Sequence, residues 1–163
     1  ALPFCMEKGF TVDMYGYLMA VWTAASLSCV LVLGVVKLKP QARFWVMAIG
    51  FTGSVLFFGL TYIARHFVPL CVMAFLASFT NGAGNTIFNA SLMLALPEEN
   101  RGAILGFIQS ASIGGTALSA VLYGVLGDVL PLSLVFSVGN LLSLGPMLYL
   151  CFTPRTKEFV LNH

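Results

Sequence analysis

The chain has 163 residues, of which 59% are hydrophobic and 9% charged, with a net charge of +2; its mean hydropathy is +0.95. A soluble domain carries about 25% charged residues, so this chain has too little polar surface to stay in water, and lipid must be its solvent over most of its length. The small net charge, and the lack of basic residues interleaved with aromatics, exclude nucleic acid as a partner.

Five stretches free of Asp, Glu, Lys and Arg are long enough to cross a hydrocarbon core, which takes about 20 helical residues. They cover 14–36, 44–64, 69–96, 102–127 and 132–153. One ionised side chain at a helix centre costs roughly 2.5–3.5 kcal/mol. The absence of any from five windows predicts an all-α polytopic membrane protein with about five transmembrane helices. Residues 1–13 precede the first span, open on Ala1 and lack a charged n-region. No signal peptide is expected there, and the chain reads as a fragment whose preceding part is missing.

On the first span, Trp22, Thr23 and Ser26 fall where they can face a protein interior, and Trp22 reads equally well as packing. The second span holds Thr52, Ser54 and Thr61 among aromatics and aliphatics. Its Gly50 and Gly53 are expected to be contact points, and the rest of it to face lipid.

The third span starts at Pro69, where a missing N–H costs nothing. At 1.5 Å per residue it reaches about 42 Å, so it should tilt or project beyond the membrane. It carries Asn81, Asn85 and Asn89. Each step of four drifts only about 40° around a helix, so the three amides share one face and climb about 12 Å. An amide in lipid lacks partners, and this face must therefore look at protein or water. Two readings stay open: the amides line an aqueous substrate pathway, or they hold a neighbouring helix at roughly 0.6–2 kcal/mol each.

Before the fourth span, Asn100 can cap the helix and Glu98 and Glu99 suit its positive end. Gln109, Ser112 and Thr116 lie close to one face of that span, opposite a ladder of Gly102, Gly106, Ser110 and Gly114. Small residues four apart let two helices approach closely. The polar trio is a candidate second wall of the pathway, against a plain packing role for the hydroxyls. The fifth span starts after Pro131, carries an isolated Asn140 expected to bond a neighbouring helix, and should kink at Pro146.

Basic residues set the orientation. One set of loops carries Lys37, Lys39, Arg43, Arg101, Arg155 and Lys157, the other only Lys8 and Arg65. The positive-inside rule puts the first set in the cytoplasm. The N-terminal end is then outside, and the tail 154–163 is cytoplasmic.

Catalytic patterns are missing from the sequence. His66 and His163 have no partners at triad or ligand spacing, and the six acidic residues fall at or beyond membrane edges. The cysteines are not spaced as a metal or redox site. No enzyme activity, cofactor or metal is expected.

The run Pro97-Glu98-Glu99-Asn100-Arg101-Gly102, followed by Gly106, Gly114-Gly115 and Gly124-Val125-Leu126-Gly127-Asp128, resembles the cytoplasmic junction between helices ten and eleven of major facilitator superfamily transporters. The resemblance is nearest to the drug and macrolide efflux branch and covers essentially the whole chain. It departs in the loop 34–43, which lacks the acidic residue common there. The resemblance implies that the five spans match helices eight to twelve, the C-terminal half of a twelve-helix transporter whose N-terminal half is missing. In that fold helix ten lines the central cavity and helix nine faces lipid, which places the asparagine stripe in the cavity. The implied protein sits in the plasma membrane and exports a small hydrophobic or amphipathic molecule by alternating access. Its substrate-binding set would be Asn81, Asn85, Asn89, Gln109, Ser112, Thr116 and Trp22. Uptake of a neutral metabolite, or a non-transporting accessory subunit, are the rival readings.

Overall fold

A computed structural model of the chain describes residues 6, 9–36, 38–127 and 129–153. Lys37 and the tail with Arg155 and Lys157 lie outside the described residues. The described chain is five helices: α1 (Val12–Val35), α2 (Pro40–Ile63), α3 (Phe67–Ala95), α4 (Arg101–Gly127) and α5 (Leu132–Phe152).

The helix ends follow ordinary capping chemistry. The Thr11 hydroxyl accepts from the Met14 N–H at 3.4 Å, with Asp13 in the first turn of α1. Pro40 opens α2 at a position where no N–H is needed. α2 begins before the charge-free stretch does, because a helix can continue past the hydrocarbon edge and carry Arg43 in its first turn. At the end of α3, Arg101 donates from Nη2 to the Leu96 carbonyl at 3.2 Å and satisfies an acceptor left over by the helix. Asn100 offers its backbone carbonyl to the Ile104 N–H at 3.0 Å.

Among the described residues four helices are long and apolar enough to cross a membrane: Val12–Val35, Gln41–Tyr62, Phe67–Ala95 and Arg101–Gly127. α5 has 21 residues and a shorter described apolar segment, Leu134–Gly145. It runs through Pro146 as one helix, although the Pro146 side chain lies outside the described residues. At 29 residues α3 is about 43 Å long. Leu31, Val35, Ile49, Val68, Phe107 and Leu142 are among the many large apolar side chains left exposed. Such a surface suits hydrocarbon and not water, and the chain is a multi-pass membrane protein.

The helices pack in the spatial order α1, α3, α2, α5, α4. Small residues set the closest approaches. A Cβ on Gly50 of α2 would lie 2.8 Å from both the Gly84 nitrogen and the Thr80 carbonyl oxygen of α3. A Cβ on Gly84 would lie 2.8 Å from the Phe51 ring. The two backbones are therefore nearly in contact, the geometry that small residues permit in membranes. Below this crossing Phe44, Met47 and Ile87 form a buried cluster.

α2 is thus an interior helix of the described bundle, with Ser54 and Thr61 buried. The expectation that it faces lipid apart from its glycines is corrected accordingly. An apolar side chain is equally at home against lipid or another helix, so hydropathy alone could not separate the two. Trp45, Ile49, Leu56 and Leu60 do form an exposed stripe on it.

The expected tight contact along the α4 ladder is also absent among the described residues. A Cβ on Gly102, Gly106, Gly114 or Gly115 would meet nothing within 4 Å, and α4 has no buried residue. What α4 does contact is α5, and this contact is aromatic. Phe136 of α5 stacks on Tyr123 of α4 with ring centroids 5.0 Å apart and on Tyr62 of α2 at 5.4 Å. Asn140 donates to the Val55 carbonyl at 2.7 Å and bonds α5 to α2, as its isolation in the sequence led us to expect.

Candidate functional site

The face of α3 that carries the amides is closed at one end by a junction of three helices. Ser78 lies one turn before Asn81 and is buried. Its hydroxyl donates to the Trp22 carbonyl at 2.8 Å and lies 2.8 Å from the Ser26 hydroxyl. A serine has one proton to give, so Ser26 is the donor in the second bond. The Trp22 ring sits 4.8 Å from the Phe58 ring of α2, tilted by 57°. Gly82 lies against α1, where a Cβ would stand in ordinary contact with Cys29 at 3.4 Å. Trp22 thereby belongs to the same helix junction as the start of the amide stripe.

From this junction the stripe continues toward the end of α3. Asn81 is half-buried, and Asn85 and Asn89 are exposed. The Asn85 side-chain nitrogen donates to the Asn81 backbone carbonyl at 3.0 Å and to the Asn81 side-chain oxygen at 2.8 Å. Both amide hydrogens of Asn85 are thus used within the helix. That leaves the Asn85 oxygen as an acceptor and the Asn81 side-chain nitrogen as a donor, with no bond across to another helix among the described residues. The pair presents a neutral donor beside a neutral acceptor.

The polar trio of α4 stands apart from this stripe. Gln109, Ser112 and Thr116 are exposed. The Ser112 hydroxyl donates to the Ile108 carbonyl and the Thr116 hydroxyl to the Ser112 carbonyl, each at 2.9 Å. Their protons are satisfied by their own helix, and only their lone pairs face outward. α4 packs on α5, and α5 on α2, whereas α3 packs on α1 and α2. The structure therefore joins Trp22 to the amide stripe and leaves the trio separate.

Two concave surfaces of different character lie elsewhere. A cleft of about 780 Å3 between α2 and α5 is lined mainly by aliphatic and aromatic side chains, among them Trp45, Ile49, Leu56, Leu60, Leu141 and Leu144. A pocket of about 450 Å3 lies where the end of α1, the start of α2 and the last turns of α3 come together, with Arg43, Thr86 and Ser91 in its wall. No group of three or more His, Cys, Asp and Glu side chains is gathered among the described residues.

Sequence reasoning missed Ser78, Phe58 and this last pocket. Ser78 was within reach of the sequence, because it precedes Asn81 by three residues and extends the polar face by one turn. Phe58 and Arg43 were not, since each acts across a helix contact that no single periodicity encodes.

Five packed apolar helices among the described residues define a polytopic membrane protein. The family model of the Major Facilitator Superfamily matches residues 1–160, and the chain belongs to that superfamily of membrane transporters. Comparisons with curated proteins and with solved structures give no match.

Proposed function

We propose that the chain is the C-terminal part of a secondary active transporter, nearest the drug and macrolide efflux branch, and that α1 to α5 are helices eight to twelve of the twelve-helix fold. It moves a small hydrophobic or amphipathic molecule by alternating access, rocking against the N-terminal half. The observation that carries this reading is the amide face of α3: Asn85 and Asn89 are exposed on the helix that packs against both α1 and α2.

An exposed amide in the middle of a transmembrane helix is costly against acyl chains and stable against water or a ligand. Asn85 spends its donors on Asn81 and reaches no neighbouring helix among the described residues, which favours a pathway over helix adhesion. A neutral donor and acceptor, without Arg or Lys on the stripe, suit an uncharged carbonyl or hydroxyl group on an otherwise apolar substrate; a phosphate or carboxylate would want a cation. Gln109, Ser112 and Thr116 complete the site only when α4 and the N-terminal half close on it. The free glycine face of α4 is the surface on which that half packs.

The protein lies in the plasma membrane with Val12 toward the outside and Phe152 toward the cytoplasm. Transport by the whole protein in inverted and in right-side-out vesicles tests the direction. Accumulation of a hydrophobic dye in inverted vesicles supports efflux, and accumulation in right-side-out vesicles makes it an uptake system. Absence of flux in either, with the protein folded, leaves the accessory-subunit reading.

A further inference from the structure

We infer that the pocket at the basic end of the bundle is a binding site for an anionic phospholipid, with its phosphodiester at Arg43 and its glycerol region against Thr86 and Ser91. The site is independent of the amide stripe and does not rest on the transport reading.

Its position is the first argument. The wall combines Leu33 and Val36 from the end of α1, Leu38 and Arg43 from the start of α2, and Thr86 to Leu94 from the second half of α3. These are the helix ends nearest Lys39, so the pocket opens where lipid headgroups meet the protein. Basic pockets between transmembrane helices at that level favour acidic headgroups.

Its chemistry is the second argument. Leu33, Val36, Leu38, Ile87, Ala90 and Leu94 supply an apolar lining, and Arg43 is the cation in the wall. A pocket of about 450 Å3 that is greasy on most sides and cationic on one matches an amphipathic anion. A guanidinium binds a phosphodiester through parallel N–H bonds. The positive end of α2, which starts at Pro40, adds to the same potential.

The third argument concerns the hydroxyls. Most Ser and Thr side chains in these helices return their proton to their own backbone, as Ser28, Thr61, Thr80, Ser112 and Ser119 do. Thr86 and Ser91 make no such bond among the described residues. Ser91 is only 2% exposed. Both hydroxyls stand in the pocket wall, where their protons can be given to ester or phosphate oxygens of a lipid.

Native mass spectrometry of the full chain in mixed micelles tests this, with phosphatidylglycerol, phosphatidylcholine and inorganic phosphate as separate probes. The expected result is retention of phosphatidylglycerol over phosphatidylcholine. Arg43→Gln should reduce that preference about tenfold, the size of one charge-assisted contact. Thr86→Val, which keeps the helix and the volume, should reduce it several-fold, and Lys39→Gln should change it little. Equal retention of the two lipids by the unaltered protein, or an undiminished preference in a folded Arg43→Gln variant, overturns the inference. Displacement of phosphatidylglycerol by millimolar phosphate also overturns it, because the site would then be one for a free anion.

Discussion

Asn85 gives both hydrogens of its side-chain amide to Asn81, one to the backbone carbonyl at 3.0 Å and one to the side-chain oxygen at 2.8 Å. The pair is held along the helix and not across it, so its remaining donor and acceptor are oriented without a neighbouring helix. Replacing Asn85 by Leu should therefore leave the fold intact, with a change in melting temperature of a degree or two. Transport by the whole protein should fall at least about tenfold, which corresponds to about 1.4 kcal/mol of lost substrate contact. Dye flux in proteoliposomes, compared with thermal unfolding of the same preparation, separates the two effects. A large loss of stability with unchanged flux per folded molecule would assign Asn85 to packing.

Gly50 and Gly84 face each other where α2 crosses α3. Gly50→Ala drives a methyl group into backbone atoms 2.8 Å away, which cannot rotate aside. We expect a cost of about 1–3 kcal/mol from overpacking. Gly114→Ala meets open space in this chain and should be neutral or slightly stabilising, since Ala is the better helix former by about 1 kcal/mol. Steric-trap or detergent unfolding of the two variants checks the contrast. If Gly114→Ala also disables transport by the whole protein while the isolated chain keeps its stability, the α4 glycines contact the N-terminal half.

Asn140→Leu removes the 2.7 Å bond to the Val55 carbonyl that joins α5 to α2. Interhelical bonds of this kind contribute about 0.6–2 kcal/mol in membranes, and the variant should be destabilised within that range. Unfolding measurements paired with Asn140→Gln, whose longer amide can still reach a carbonyl, test the assignment. Equal stability of Asn140→Leu and the unaltered chain would contradict it.

Tyr123, Phe136 and Tyr62 form a stack across α4, α5 and α2. α4 has no buried residue, and this stack ties it to α5 and, through Phe136, to α2. Phe136→Ala should loosen α4 more than it lowers the stability of the α1–α3 core, with each aromatic pair worth about 0.5–1.5 kcal/mol beyond burial. Hydrogen exchange resolved by helix should show faster exchange in α4 and unchanged exchange in α3. A uniform increase would mean that α4 is anchored by other contacts.

The helices were legible in the sequence because exclusion of charge from hydrocarbon is a strong, local rule. The α4 and α5 boundaries agree with the charge-free stretches to within a residue, and α2 differs because Arg43 extends a helix beyond the apolar edge. Asn140 was legible as well, since one amide in an apolar span needs a partner. The role of α2 was not. Its Gly50 could be picked out as a contact, but an interior apolar face and a lipid-facing one have the same composition. The α4 ladder shows the opposite failure, small residues that read as a contact surface in sequence but meet no other helix among the described residues. For the candidate site, the spacing of Asn81, Asn85 and Asn89 gave the stripe, while its junction with Trp22 and Phe58 depended on how three helices cross.

The most direct test is water access to the stripe. Cysteines placed singly at positions 81, 85 and 89 of the whole protein, with the native cysteines replaced, would be treated with a membrane-impermeant thiol reagent, and Leu31→Cys on the exposed apolar face of α1 would serve as the lipid-facing reference. The account predicts rapid modification at 85 and 89, slower modification at half-buried 81, protection of all three by a transported substrate, and little reaction at 31. Modification at 85 and 89 no faster than at 31 would contradict it, because the amide face would then be sealed from water.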